Sequence, residues 1–501
     1  MSTIDDALAR GLEHHRAGRL PDAEAIYRDI LRQQPQQVDT LNALGALVLQ
    51  TGRRDEAIAI LEHAAALAPH SAVIQLNLGA ACVMIGRHGA AQAPLQRALA
   101  LEPRNADVLY HLGLLAENTD QVAEAIDYYW RAAGERRGFS SALNNLALLL
   151  KAEGQLDEAA AVLDAGLAAD RQSAHLHYNR AMLYLIRGQF EPGWREYEWR
   201  VACPEFGLRR LPQPVWDGTP LVDKTLLVHA EQGLGDVIQF VRYLPLVRER
   251  CRRVIVETPA QLIPLFRHAG VEGLVEQLPQ VPGALPSVPA CDVQIPLLSL
   301  PRVFGTTLET IPAAVPYLYA PEHLVNVWRE RLAASPGFKV GIVWQGRPTH
   351  RDDRFRSIAL TQFAPLAIVP GVRLFSLQRG HGTDQLPGVA GQFEVIDVMS
   401  VIDPQAEPFL DLAAIIKSLD LVVACDTSIA HLAGALGAPV WMALATRVDW
   451  RWLVDRSDSP WYPTMRLFRQ PTRGDWPAVF RKMAAELATV ATGRGASTME
   501  L

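Results

Sequence analysis

The chain has 501 residues, 49% of them hydrophobic and 20% charged, with a formal net charge of −6. That supplies apolar material for several cores and excludes global disorder, and the mild acidity argues against nucleic acid as a main partner. The opening residues carry acids and no apolar segment, no run reaches the ~18 apolar residues of a membrane span, and the five cysteines (Cys82, Cys203, Cys251, Cys291, Cys425) show no paired spacing, so a cytoplasmic protein with reduced thiols and no metal site is expected.

Residues 1–200 read as a repeat array. Gly18, Gly52 and Gly86 stand 34 residues apart, and the series runs on through Asp120 to Gly154 and Gly188. Five positions after each come Ala23, Ala57, Ala91, Ala125, Ala159 and Gly193. Gly45, Gly79, Gly113, Ala147 and Ala181 keep the same step, and Pro35, Pro69 and Pro103 close the first three units. Paired helices approach closely only where side chains are short. Glycine ends the first helix of a pair, and proline stops the second. The pattern resembles the tetratricopeptide repeat, whose stacks offer a concave face to an extended peptide or a partner helix. A protein partner is therefore expected. Trp194, Tyr197 and Trp199, at the end of the array, are expected to pack it onto the next domain. Pro204, Pro212, Pro214 and Pro220 mark a stiff linker over residues 201–222.

Residues 225–245 organise the rest. TLLVHA reads as a buried strand, and VIQFVRYLPLVRER, with Val237, Val241 and Leu244 at helical spacing, as a buried helix. Between them Gly233 and Gly235 predict a tight strand-to-helix turn that lets a ligand approach the main chain. The helix start offers free N–H groups to an anion. Asp236 stands there with Glu231 just before the turn, so a carboxylate that accepts a proton beside an anionic ligand is one reading. A simple helix cap is the other.

Beyond this point strands and helices alternate. RVIVE, LVEQL and DVQIP continue a first half-domain over 223–320, and a Pro-rich crossing leads to a second over 336–490, with 491–501 as a flexible tail. Strands are predicted at 340–344, 373–377, 393–397 and 421–425. Alternation of this kind gives parallel sheets covered on both faces, with ligands beyond the carboxyl ends of the strands. Three polar groups fall at such ends. Asp426, Thr427 and Ser428 precede a helix that places His431 on the same face, which suits a diphosphate and ribose hydroxyls or a well-capped buried helix. The loop WQGRPTHRDDRFRSI holds Arg347, His350, Arg351, Arg354 and Arg356; one arginine could neutralise a departing phosphate. Gln378 and Arg379 end the strand at 373–377.

HAEQGLGDVIQF followed by CDTSIAHLAGALGAP resembles the heptosyltransferase-like glycosyltransferases, which have the two-Rossmann GT-B fold. With the array ahead of it, the chain resembles the bacterial tetratricopeptide-repeat glycosyltransferases, a group that includes flagellin-modifying enzymes. The expected fold is thus an all-α repeat superhelix followed by an α/β GT-B unit. The resemblance implies metal-independent, inverting transfer from a nucleotide sugar to Ser or Thr of a protein acceptor, with no cofactor. It implies Asp236 as general base, and Glu231 beside it is the second candidate catalytic residue. Gly233, Gly235, Arg354, Arg356, Gln378, Arg379, Asp426, Thr427, Ser428 and His431 would line the nucleotide-sugar side. A non-catalytic scaffold and a transferase for small or lipid-linked sugars are the alternatives.

Overall fold

The computed structural model describes residues 3–277, 288–350, 352–402 and 407–497. It separates into two compact units, Met1–Asn179 and Arg180–Leu501. The first is a tetratricopeptide superhelix of short paired helices, from Ile4–Arg16 with Leu20–Gln33 to Ser140–Ala152 with Leu156–Ala169. Its small residues sit where the period predicts. Gly18, Gly52, Gly86 and Gly154 all have φ between +73° and +82°, just past the end of the first helix in each pair. Asp120, which replaces glycine in the series, adopts the same left-handed conformation at φ +65°. Ala23, Ala57, Ala91, Ala125 and Ala159 are all fully buried. A Cβ built on Gly113 would lie 2.6 Å from Cδ1 of the Tyr129 ring. Gly113→Ala is therefore expected to cost ~1–3 kcal/mol by overpacking, read as an earlier urea transition of the full chain. An unmoved transition would show that the helix pair has slack the packing does not suggest.

The unit boundary falls at residue 180, short of the expected 200. The helix Phe190–Tyr197 belongs with the second unit, where Trp194 and Tyr197 meet Trp450 at ring-centroid distances of 5.2 and 6.5 Å. The expected linker also proves partly built in. Trp216 is buried, residue 215 bridges to Gln294, and the first strand begins at Leu221.

The second unit contains two all-parallel sheets. The first has order β3-β2-β1-β4, from β1 (Leu221–His229), β2 (Cys251–Thr258), β3 (Leu274–Glu276) and β4 (Val293–Pro296). The second comprises β5 (Phe338–Val343), β6 (Val372–Ser376), β7 (Ile396–Asp397), β8 (Leu421–Ala424), β9 (Val440–Leu444) and β10 (Met465–Arg469), in order β10-β9-β8-β5-β6-β7. The strand order reverses direction beside β1 and β4 in one sheet and beside β5 and β8 in the other. Crevices open at such switch points, because the connections on either side run to opposite faces. This is a GT-B type arrangement. Its second core gathers Val340, Ile342, Trp344, Leu374, Val423 and Phe480, all almost fully buried. The closing helix runs Trp476–Ser497, so the expected tail at 491–501 is helical through 497 and lies outside the described residues beyond that point. All five cysteines are free thiols. No described helix is long and apolar enough to cross a membrane.

Candidate functional site

The turn after β1 and the turn after β8 meet. The helix Leu234–Phe240 packs on the helix Ser428–Ala435, and Gly235 is the point of closest approach. A Cβ built on Gly235 would lie 2.9 Å from His431 Cδ2 and 3.4 Å from the Ser428 Cα. Close helix contact is thus what glycine supplies at 235. Neither glycine of the turn supplies a left-handed backbone angle. Gly233 is extended at φ −89°, and the left-handed residue is Gln232 at φ +61°, whose amide donates to the Tyr197 hydroxyl at 3.0 Å.

Asp236 is engaged through both oxygens. Oδ2 accepts the Gly233 N–H at 2.9 Å, closing the first turn as a cap would, and Oδ1 pairs with Arg451. Its side chain keeps 19% of its surface exposed. Burial pushes its carboxyl above the usual range, against the pull of the Arg451 guanidinium. Glu231 does not share this role. It is buried, holds the fully buried Arg200 through bonds of 3.0 and 2.7 Å, and accepts the Leu298 N–H at 3.0 Å. A carboxylate fixed this way builds the fold, so Glu231 is a structural residue where a catalytic one was expected.

Across the seam, Trp452 donates its indole N–H to Asp426 Oδ2 at 2.9 Å, and its ring stacks on His431 at 5.4 Å. His431 pairs through Nδ1 with the Tyr462 hydroxyl at 2.8 Å. Burial, helped by the nearby Arg451 charge, brings its pKa down to about 3, so the imidazole is neutral and its 3.9 Å approach to Asp426 is no ion pair. Thr427 caps the following helix by backbone position only, its hydroxyl donating instead to the Cys425 carbonyl at 3.3 Å. Asp426 itself is raised to about 6, by burial first and the Asp449 carboxylate second, with the Trp452 hydrogen bond, Arg356 and Arg451 opposing.

The sign of that shift makes a prediction. A carboxyl whose folded pKa lies above its unfolded value contributes stability below about pH 4 that is lost as pH rises through about 6. Asp426→Asn should therefore raise the melting temperature at pH 7.5, by the equivalent of roughly 1–3 kcal/mol, and change it little at pH 4. Equal effects at both values would remove the buried charge as the cause.

The remaining expected residues divide. Arg356 pairs with Asp353 at 3.4 Å and passes Gly346 so closely that a Cβ there would lie 2.7 Å from Nη2; its charge is felt by Asp426, His431 and His350. Arg354 points its guanidinium over the Phe355 ring at 4.6 Å and is exposed. Arg351 lies outside the described residues. Gln378 is corrected. Its oxygen accepts the Trp344 and Gln345 N–H groups at 3.1 Å each, and its nitrogen donates to the Gln345 and His381 carbonyls at 2.9 and 2.7 Å. That side chain clamps the ends of β5 and β6 and has nothing left for a ligand. Arg379 next to it is exposed.

No sequence motif singles out Arg451. It sits in the 3-10 turn Trp450–Trp452 after β9, a strand whose five apolar residues follow the Ser428 helix after only four residues. Gly437 and Pro439 were the signal that the helix had ended and a buried strand begun.

The matching family models fall within the first unit. Tetratricopeptide-repeat family models match residues 36–104, 84–139 and 140–173. Protein FlbA of Caulobacter vibrioides is 26% identical over 398 residues, covering 74% of this chain and 65% of its own length. The chain thus spans just under two thirds of that relative. A match over 74% of the chain reaches well past the 179 residues of the first unit. Among solved structures, MamA is 30% identical, covering 33% of this chain and 96% of its own, with a TM-score of 0.30. YrrB, titled a TPR protein with an unusual peptide-binding site, is 20% identical over 35% of this chain and 91% of its own, with a TM-score of 0.29.

Proposed function

We propose that the second unit moves a sugar from a nucleotide-sugar donor to a Ser or Thr hydroxyl of a protein recruited by the repeat array. The observation that carries this reading is the contact of Gly235 with His431 and Ser428, which sets Asp236 beside the Asp426 turn at paired switch points of two parallel sheets. In this reading the acceptor oxygen attacks the anomeric carbon, Asp236 takes the hydroxyl proton, and the bond to the diphosphate breaks with inversion. Arg356 and the N-terminal turn of the Ser428 helix stabilise the departing diphosphate, and Asp426 accepts hydrogen bonds from ribose hydroxyls. No metal is needed for these roles. The repeat array supports a protein acceptor, and the resemblance to flagellin-modifying enzymes makes a flagellin one candidate.

The scaffold reading draws on one specific observation: Arg451 occupies the oxygen that a base would use. A panel of UDP-N-acetylglucosamine, UDP-glucose, GDP-mannose and a CMP-linked nonulosonic acid decides between them. The transferase reading expects at least one donor to release its nucleotide over time and to raise the melting temperature. Neither effect with any donor would leave the scaffold. Removing residues 1–179 then separates acceptor types, since a small sugar acceptor has no use for the array.

A further inference from the structure

Residues 449–452 reach both corners of the site from one loop. The Trp452 indole bonds Asp426 in its own half of the unit, and the adjacent Arg451 crosses to Asp236 in the other. Each nitrogen of that guanidinium donates a hydrogen bond. Nη2 donates to Asp236 Oδ1, Nη1 to Asp449 Oδ1 at 2.9 Å, and Nε to Gln239 Oε1 at 2.5 Å. Its plane lies over Trp450 at 4.5 Å and faces Phe240 at 5.6 Å. Asp236 and Gln239 are three residues apart on one helix, so they lie on the same face. A rigid fork that grips both fixes the rotation of that helix as well as the plane of the carboxylate.

Resting on the reading of Asp236 as proton acceptor, we infer that Arg451 is its positioning residue, aligning the carboxylate from the donor-side half. Among the described residues, the charged and titratable groups acting on Asp236 include Arg451, Asp449, Glu231 with its partner Arg200, and Tyr197, while the neutral His431 lies against the adjacent Gly235. Burial and the two acids favour the protonated form of Asp236, and Arg451 opposes them. Loss of that cation would raise the pH at which the carboxylate becomes available.

The test uses the full chain, Arg451→Gln and Arg451→Lys, with a donor from the panel that the wild type turns over. Misplacing a catalytic group by about 1 Å costs on the order of 10²-fold. Arg451→Gln is expected to lower kcat by about 10–100-fold, leave the donor KM within about 3-fold, and move the acid limb of the pH profile upward by roughly one unit. Arg451→Lys should restore part of kcat and return the limb toward the wild-type position, a pattern that loss of packing alone would not produce. Unchanged kcat, or a loss confined to donor KM, overturns the assignment. Thermal unfolding of Arg451→Gln, Asp236→Asn and the double variant supplies a readout without turnover. The double should lose less than the sum of the singles, and strictly additive losses also overturn it. The two failures are distinct. No turnover by the wild type removes the transfer reading and this assignment with it; turnover with additive losses removes this assignment alone.

Discussion

Asp236→Asn is expected to lower turnover by about 10²–10⁴-fold, the usual worth of a positioned base, while affinity for the nucleoside diphosphate stays within a small factor. The substitution isolates proton transfer because the asparagine oxygen can still accept the Gly233 N–H that Asp236 accepts at 2.9 Å, so the first turn of the helix is kept. What disappears is the ability to take a proton, together with the charge that Arg451 holds. Nucleotide release gives the rate, and calorimetry with the diphosphate product of the active donor gives the affinity. Diphosphate contacts are expected from Arg356 and the Ser428 helix, on the other side of the seam, which is why binding should survive. If turnover is unchanged, Asp236 is a capping residue and no more.

The second large effect is on stability. Arg200→Met should cost about 3–5 kcal/mol, because it strands the Glu231 carboxylate in a site where water cannot replace the lost partner. Arg200 is fully buried and bonds Glu231 twice, as well as the Tyr197 carbonyl at 3.1 Å and the Ser299 hydroxyl at 2.7 Å. For a unit of this size the melting temperature should fall by roughly 4–7 °C. Adding Glu231→Leu to the same chain should recover part of the loss, since the buried carboxylate goes with its partner and Glu198, which Arg200 also bonds at 3.0 Å, stays partly exposed to water. A fall of only a degree or two in Arg200→Met would mean that water reaches Glu231. The same pair predicts that Glu231→Gln reduces activity only through the folded fraction.

The legibility of the site varied with how local its physics is. Gly18 through Gly188 declared a 34-residue period because each glycine ends a helix by its own backbone angle, a property of one residue. The turns at 233–236 and 426–428 were visible because a strand, a polar corner and a helix follow one another along the chain. The meaning of Gly235 was not. Its reason for being glycine is His431, almost 200 residues away, and no pattern around Gly235 carries that information. Gln378 and Arg379 show the same limit: adjacent polar residues at one strand end read alike, yet one is wholly spent on backbone groups and the other faces solvent.

Taken alone, the sequence determined the repeat superhelix, the two parallel α/β halves and the two acidic corners, since periodicity, strand–helix alternation and turn chemistry act over a few residues. Only the tertiary structure decided which carboxylate is reachable, that Glu231 belongs to Arg200, and that Asp236 answers to Arg451. Burial and charge pairing depend on which groups fold into the same few ångströms, and pairs such as 231 with 200 or 236 with 451 have no spacing rule by which a chain could announce them.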